Sequence, residues 1–347
     1  MSAALAEPHA TPLAAIQPPV VSVDDLAISF FPSEGSEVSV VRGVSFEMRA
    51  GEVVGVVGES GSGKSLTGRS ILGLVPNGAH VTGSVRVNGA EVLAMSETQL
   101  RSLRGREVAM FFQDPMTSFN PVRRIGKQIA EAIRVHRWLP RLKVRERVIR
   151  ALDQVGIINP SRTANAFPHE FSGGMRQRAM IAMGLVNDPG IIVADEPTTA
   201  LDVTVQDQVL NLMRDVNRER NTAILLITHN IAVVANICSR VLVMYAGRIV
   251  EDGPAAQVLR NPQHPYTSLL LRSVPRIDRR SDRLIGIEGQ PPDPANLPSG
   301  CKFRNRCPLA QNVCATVEPE LDRLGAEHLV RCHFPLNTTD RKQRCVA

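Results

Sequence analysis

No apolar run in this 347-residue chain approaches the ~18 residues a membrane-spanning helix needs. The longest, such as "AILLI" at 223–227, suit buried strands. Nor do the first residues read as a secretory leader. "MSAALAEPHATPLAAIQPPV" has no basic stretch, carries Glu7 and is broken by Pro8, Pro12, Pro18 and Pro19, so residues 1–20 read as a flexible extension. The chain is therefore expected to stay in the cytoplasm, where thiols are reduced and its six cysteines form no disulfide framework. Lysine is scarcer still, five against 35 arginines, so a lysine at a position that chemistry requires is less apt to stand there by chance. Charge is not massed in one place. The net +6 includes small clusters at 141–150 and 276–283, which solvated helix faces and a basic linker explain better than a nucleic-acid or membrane surface does. Hydrophobic residues at 43% with mean hydropathy −0.05 describe a globular chain with a real core. Its length suits one large domain with an appendage, or two domains.

The first chemistry appears at residues 52–65. "EVVGVVG" (52–58) is a valine-rich run of the kind that forms a buried parallel strand. It leads into "GESGSGKS", Gly58 to Ser65, which fits G-x-x-x-x-G-K-[ST] at every fixed position, with helical spacing after it. Glycines let the backbone wrap a polyphosphate with its N–H groups turned inward, and the helix N-terminus adds its positive end. Gly58, Glu59, Ser60, Gly61, Ser62, Gly63, Lys64, Ser65 and Leu66 are the expected nucleotide contacts, Lys64 reaching the β- and γ-phosphates and Ser65 ligating Mg²⁺. ATP and Mg²⁺ are the ligands this implies.

Such a loop needs an acid on a neighbouring strand, and "GIIVADEP" (190–197) provides Asp195 for Mg²⁺ and Glu196 to polarise a water. "FSGGMRQR" (171–178) opens a helical run, with Ser172 an ordinary N-cap if taken alone. "TAILLIT" (222–228) is a further buried strand that delivers His229, and Gln113 follows the strand-like "EVAMFF". Singly these mean little. In order, the phosphate loop, Gln113, "SGG", "DE", "ALD" (200–202) and "TH" resemble the nucleotide-binding domain of ATP-binding cassette (ABC) proteins over about residues 20–260.

That resemblance implies an α/β fold with a RecA-like core, an antiparallel β subdomain and a helical subdomain at about 114–180. It implies Glu196 as general base and His229 and Gln113 around the γ-phosphate, with Gln113 sensing Mg²⁺ and reporting to a transmembrane partner. Ser172, Gly173 and Gly174 would contact ATP held by a second ATPase subunit, and Asp202 would shape the opposite site. An aromatic ring upstream of the loop would stack on adenine, Phe30 first and Phe31 as the near alternative. Phe171 and Met175 depart from the commonest signature but leave its serine and glycines in place. The stretches at 112–133 and 261–275 are similar to the peptide and nickel importer branch, in particular the D-type ATPase of dipeptide/oligopeptide systems. This implies a distinct paralogous ATPase, two transmembrane permease subunits, an extracytoplasmic peptide-binding protein and a peripheral place on the cytoplasmic face of the membrane. The rival is a soluble ABC ATPase acting on nucleic acid. A single phosphate loop and no coiled-coil insertion speak against it.

Composition changes after the ABC-like part, 21–275, into an accessory domain at 276–347 with a proline-rich linker. Cys301, Cys307, Cys314 and Cys332 are spaced C-x5-C-x6-C-x17-C, which reads as a metal site. Four thiolates suit Zn²⁺ or an iron–sulfur cluster. The gaps are wider than zinc knuckles, and the Cys307–Pro308 pair leans towards [4Fe–4S], as does the resemblance. The cluster reads first as a staple for a loop-rich tail, with redox sensing the weaker alternative. Cys238 is expected within a packed helix, and Cys345 to be free.

Overall fold

The computed structural model describes residues 18–31, 37–112, 119–198, 203–273, 286–325 and 327–336. Two sheets organise them. An antiparallel sheet is built from β1 (Val21–Phe30), β2 (Val38–Met48), β4 (Ala79–Val87) and β5 (Ala90–Glu91), in the order β2-β1-β4-β5. The larger sheet contains β3 (Val53–Val57), β6 (Val108–Phe111), β7 (Ile191–Asp195), β8 (Ala223–Ile227), β9 (Arg240–Tyr245), β10 (Arg248–Pro254), β11 (Asp322–Arg323) and β12 (Leu329–Val330). Its order is β11-β12-β10-β9-β3-β8-β7-β6, parallel from β9 to β6 and antiparallel beyond β9.

Strands β3, β7 and β8 are buried at every position, which is why they read as unbroken aliphatic runs rather than alternating ones. The period of two is still used. Ile224 and Leu226 of β8 join a core cluster on the helical face, while Leu225 and Ile227 join one beneath the antiparallel sheet. Because β3, β7 and β8 are parallel and in register, their C-terminal ends fall on one edge of the sheet, where open α/β folds bind ligands.

Helices cover that sheet. α1 (Lys64–Ser70) follows the phosphate loop, and α2 (Glu97–Leu103) starts at a Ser96 capping box. Between β6 and β7 lie α3 (Ile125–His136), α4 (Arg141–Gln154), the short α5 (Pro160–Thr163) and α6 (Gly173–Leu185), the observed form of the expected helical subdomain. α3 and α4 turn Ile125, Ile129, Ile133, Val144, Val148 and Leu152 inward at helical spacing. α7 (Val203–Arg220) and α8 (Ile231–Ile237) flank β8, and α9 (Ala255–Arg260) and α10 (Pro265–Arg272) follow β10. Among the described residues, no helix is long and apolar enough to cross a membrane. Cys238 lies one residue past the end of α8, not within a helix as expected, and its Sγ packs beside Gly55.

The C-terminal segment does not stand apart. β12 pairs with β10 (Glu251 with Val330, Asp252 with Leu329), so the main sheet continues across the boundary expected near residue 275. α11 (Asn312–Thr316) and the turn Arg304–Arg306 complete this segment. Phe303 packs with Tyr245 and Tyr266, ring centroids 5.2 and 5.4 Å away, and all three rings are buried. These contacts make 286–325 and 327–336 a docked layer on the sheet edge.

Candidate nucleotide site and cysteine cluster

The loop after β3 depends on backbone that only glycine adopts easily. Gly58 has φ 154°, and a Cβ there would lie 2.2 Å from the Met244 carbonyl oxygen. Gly63 has φ 95°, and a Cβ would meet the Val40 carbonyl at 2.9 Å. The loop therefore runs hard against β9–β10 and β2 and turns straight into α1. Lys64 Nζ donates to the carbonyls of Gly58 (2.9 Å) and Glu59 (2.7 Å) and to Ser62 Oγ (3.3 Å). Burial lowers its pKa, against the opposing pull of Glu196, Asp195 and Glu59. Ser60 and Gly61 are exposed at the loop's crown, and Leu66 packs on the core.

Two further strand ends meet this loop. Ser65 Oγ donates to Asp195 Oδ1 at 2.8 Å, and Arg69 lies 3.8 Å from the other carboxylate oxygen. Burial raises the Asp195 pKa, and the Ser65 and Arg69 contacts only partly oppose it. Glu196, the next residue, sits at φ 49° and its N–H donates to the Ile227 carbonyl at 2.9 Å, which pins the end of β7 to β8. His229 Nδ1 lies 3.1 Å from Glu196 Oε1, with the imidazole well exposed. Asn230 caps α8 by accepting from Ala232 N, so the histidine is carried on a short, held turn.

Ser172 is the N-cap of α6, its Oγ accepting from Met175 N at 3.3 Å. Ser172 and Gly173 are exposed, and a Cβ on Gly173 would touch nothing within 4 Å. This helix start faces outward. Gln177, on the same helix, was not singled out from the sequence. Its buried side chain donates to the Pro197 carbonyl at 2.6 Å and so braces the loop that carries Glu196. A lone glutamine in a helical run gives no signal of this. Phe30 ends β1 with its ring packed on the core, whereas Phe31 is 62% exposed and edges against His80 at 6.1 Å. Gln113 and Asp202 lie outside the described residues.

Cys301, Cys307, Cys314 and Cys332 line one cavity with His264, Phe303 and His333. Cys301 N donates to the Cys314 carbonyl at 2.9 Å, and Phe334 N donates to Cys332 Sγ at 3.4 Å. Burial pushes three of the thiols up: Cys301, Cys307 to about 11, and Cys332 to about 12. The expected metal site is thus seen only as this convergence. Among the described residues, no three His, Cys, Asp or Glu side chains are placed to hold a metal ion.

Comparison with known proteins gives the same outline. Residues 41–199 match the ABC transporter family model, and residues 250–314 match the oligopeptide/dipeptide transporter C-terminal region. The chain is similar to the oligopeptide transport ATP-binding protein OppD of Salmonella typhimurium, 45% identical over 317 residues, covering 91% of this chain and 94% of that protein. It is also similar to the protein of the same name in Bacillus subtilis, 44% identical over 90% of this chain and 88% of that one. Among solved structures, the ATP-binding cassette MJ0796, in a post-hydrolysis dimer bound to ADP and Pi, superimposes with TM-score 0.61. It is 25% identical, covering 68% of this chain and 98% of that one.

Proposed function

The chain belongs to the ABC transporter family, as an ATP-binding subunit of the oligopeptide transport type, and from that premise we propose how its residues divide the work. It is an ATPase that couples ATP binding and hydrolysis to uptake of di- or oligopeptides through membrane subunits. The observation that carries the reading is the junction of three parallel strands. It sets Ser65 against Asp195 at 2.8 Å and Glu196 against His229 at 3.1 Å, beside a glycine loop with one lysine.

Ser65 and Asp195, with Gln113, would hold Mg²⁺, which when bound neutralises charge on the β- and γ-phosphates. Asp195 suits that place, since a buried carboxylate with few cationic partners gains most from a divalent one. Lys64 would turn from the loop carbonyls to the phosphate oxygens. Glu196 would take the proton of the attacking water, and His229 would hold the γ-phosphate while orienting that carboxylate. The exposed Ser172 and Gly173, with Gly174 behind them against Val205, would suit ATP bound by a partner ATPase, with Asp202 contributing to the same interface. The adenine platform would be Phe31, whose ring is open where that of Phe30 is half-buried against the core. Closure of the two ATPases would drive the membrane subunits, and hydrolysis would reopen them. The ATP-binding domain spans 21–275 in this reading, and 276–347 is the C-terminal accessory domain.

At the four cysteines we place a [4Fe–4S] cluster, with Zn²⁺ as the alternative. The donor set is all thiol, the side chains converge on one cavity, and Cys332 already accepts an amide hydrogen bond of the kind that favours thiolate. Such a group would crosslink the segments that carry Cys301, Cys307, Cys314 and Cys332, adding to the hydrogen bonds that already join them.

One purification tests both readings. Prepared without oxygen, the full chain is expected to carry about four irons and about four sulfides, and to bring down two membrane subunits and a second ATPase. Zinc without sulfide, or no metal, would reject the cluster. Salt-sensitive nucleic acid in place of membrane subunits would reject the importer.

A further inference from the structure

The phosphate loop is gripped from outside by the C-terminal segment. Arg306 closes the short turn Arg304–Arg306, directly before Cys307. Its guanidinium meets Glu59, second residue of the loop, as a two-bond fork: Nη1 to Oε2 at 2.6 Å and Nη2 to Oε1 at 2.9 Å. The arginine side chain is 5% exposed, so this is no surface pair. Its Nε donates to the Glu288 carbonyl at 3.0 Å, and its Nη1 reaches Tyr245 Oη at 3.4 Å. The same loop residue is held a second time, since Glu59 N donates to Tyr266 Oη at 2.9 Å and Tyr266 is fully buried. Tyr245, Tyr266 and Phe303 form one ring cluster beneath both contacts.

A carboxylate at this position is otherwise a liability. It sits in a loop built to receive polyphosphate, and it pulls on Lys64, the cation the phosphates need. We propose that Arg306 is a positioning residue of the nucleotide site, contributed by the C-terminal segment, which sets ATP affinity by neutralising and anchoring Glu59. With Arg306 in place, Glu59 has its own cation, Lys64 is left for phosphate, and the loop is held in its phosphate-receiving shape. Arg306 stays charged, its pKa raised above the usual arginine value chiefly by the Glu59 hydrogen bonds. The proposal rests on ATP binding at this loop and not on which metal, if any, the cysteines hold.

The test is equilibrium titration of the full chain with a fluorescent ATP analogue, paired with KM and kcat of the assembled transporter. Arg306→Met is expected to weaken ATP binding and raise KM about tenfold or more, since it leaves a half-buried carboxylate unpaired. The kcat should stay within about threefold, because no reacting group is touched. Glu59→Gln/Arg306→Met should recover most of the lost affinity, since the unpaired charge is gone. Wild-type affinity in folded Arg306→Met overturns the proposal. So does a double variant as weak as the single, which would mean that Arg306 merely props the segment. Should Arg306→Met fail to fold, Arg306→Lys keeps the charge without the fork. An intermediate loss of affinity is then expected, and wild-type affinity again overturns the idea.

Discussion

Glutamine in place of Glu196 is expected to cut ATP hydrolysis by the assembled transporter at least ~100-fold, the scale of a lost general base. ATP binding should persist. The argument is geometric before it is chemical. Glu196 is held in the left-handed region at φ 49° by its own N–H on the Ile227 carbonyl, so its carboxylate is aimed by backbone. Glutamine keeps that backbone bond, and its amide oxygen can still meet His229, so the site's shape survives. What is lost is the basic oxygen that accepts a proton. Lys64, Ser65 and Asp195, which would carry the phosphates and Mg²⁺, are untouched. Phosphate release and nucleotide retention measured on one preparation decide the matter. Hydrolysis near the wild-type rate would remove Glu196 from the role of base.

The parts of this site that could be read from sequence are those fixed by short, local backbone chemistry. Gly58 to Ser65 must turn tightly between a strand and a helix, and that demand is written as glycines at set intervals. Asp195 closes one five-residue buried run, and Glu196 and His229 lie just past the ends of two such runs, so each strand end locates its functional residue. Parallel register then does the rest. Contacts that depend on distant segments left no such trace. Leu329–Val330 is too short to show a period, so its pairing with β10 was invisible, and residues beyond 275 read as an accessory domain. Arg306 looked like one arginine among 35, although it meets Glu59 across 247 positions. Phe30 and Phe31 are adjacent at a strand end, where alternation no longer says which ring is covered. The four cysteines were legible as a group because their spacing is their signal, and the fold brings all four to one cavity.

Docking of that C-terminal layer turns on one buried acid, and Glu251→Ala is expected to undo it. Glu251 lies on β10 at 0% exposure. Its Oε1 accepts from Gln263 N at 2.6 Å and meets His328 Nε2 at 2.8 Å, while Oε2 accepts from His264 N at 2.9 Å. One carboxylate thus ties a core strand to the entry of α10 and to the residue before β12. Alanine would leave three buried polar groups without their partner, each costing about 1–3 kcal/mol. Relaxation and water entry recover part of this, so a net loss of about 3–5 kcal/mol is expected, as for one partner of a buried pair removed. His264 offers no substitute charge, since burial holds its imidazole pKa down at about 4 and its Nδ1 already accepts from Tyr266 N. The tie to His328 is the one that reaches the C-terminal layer, so the loss should show there. Protease should cut first within 286–336, and the melting midpoint should fall by roughly 5–15 °C. Glu251→Gln, which keeps one acceptor oxygen, should lie between. A Glu251→Ala chain that melts and resists protease like the wild type would show that β12 and the ring cluster around Phe303 hold the layer without this carboxylate.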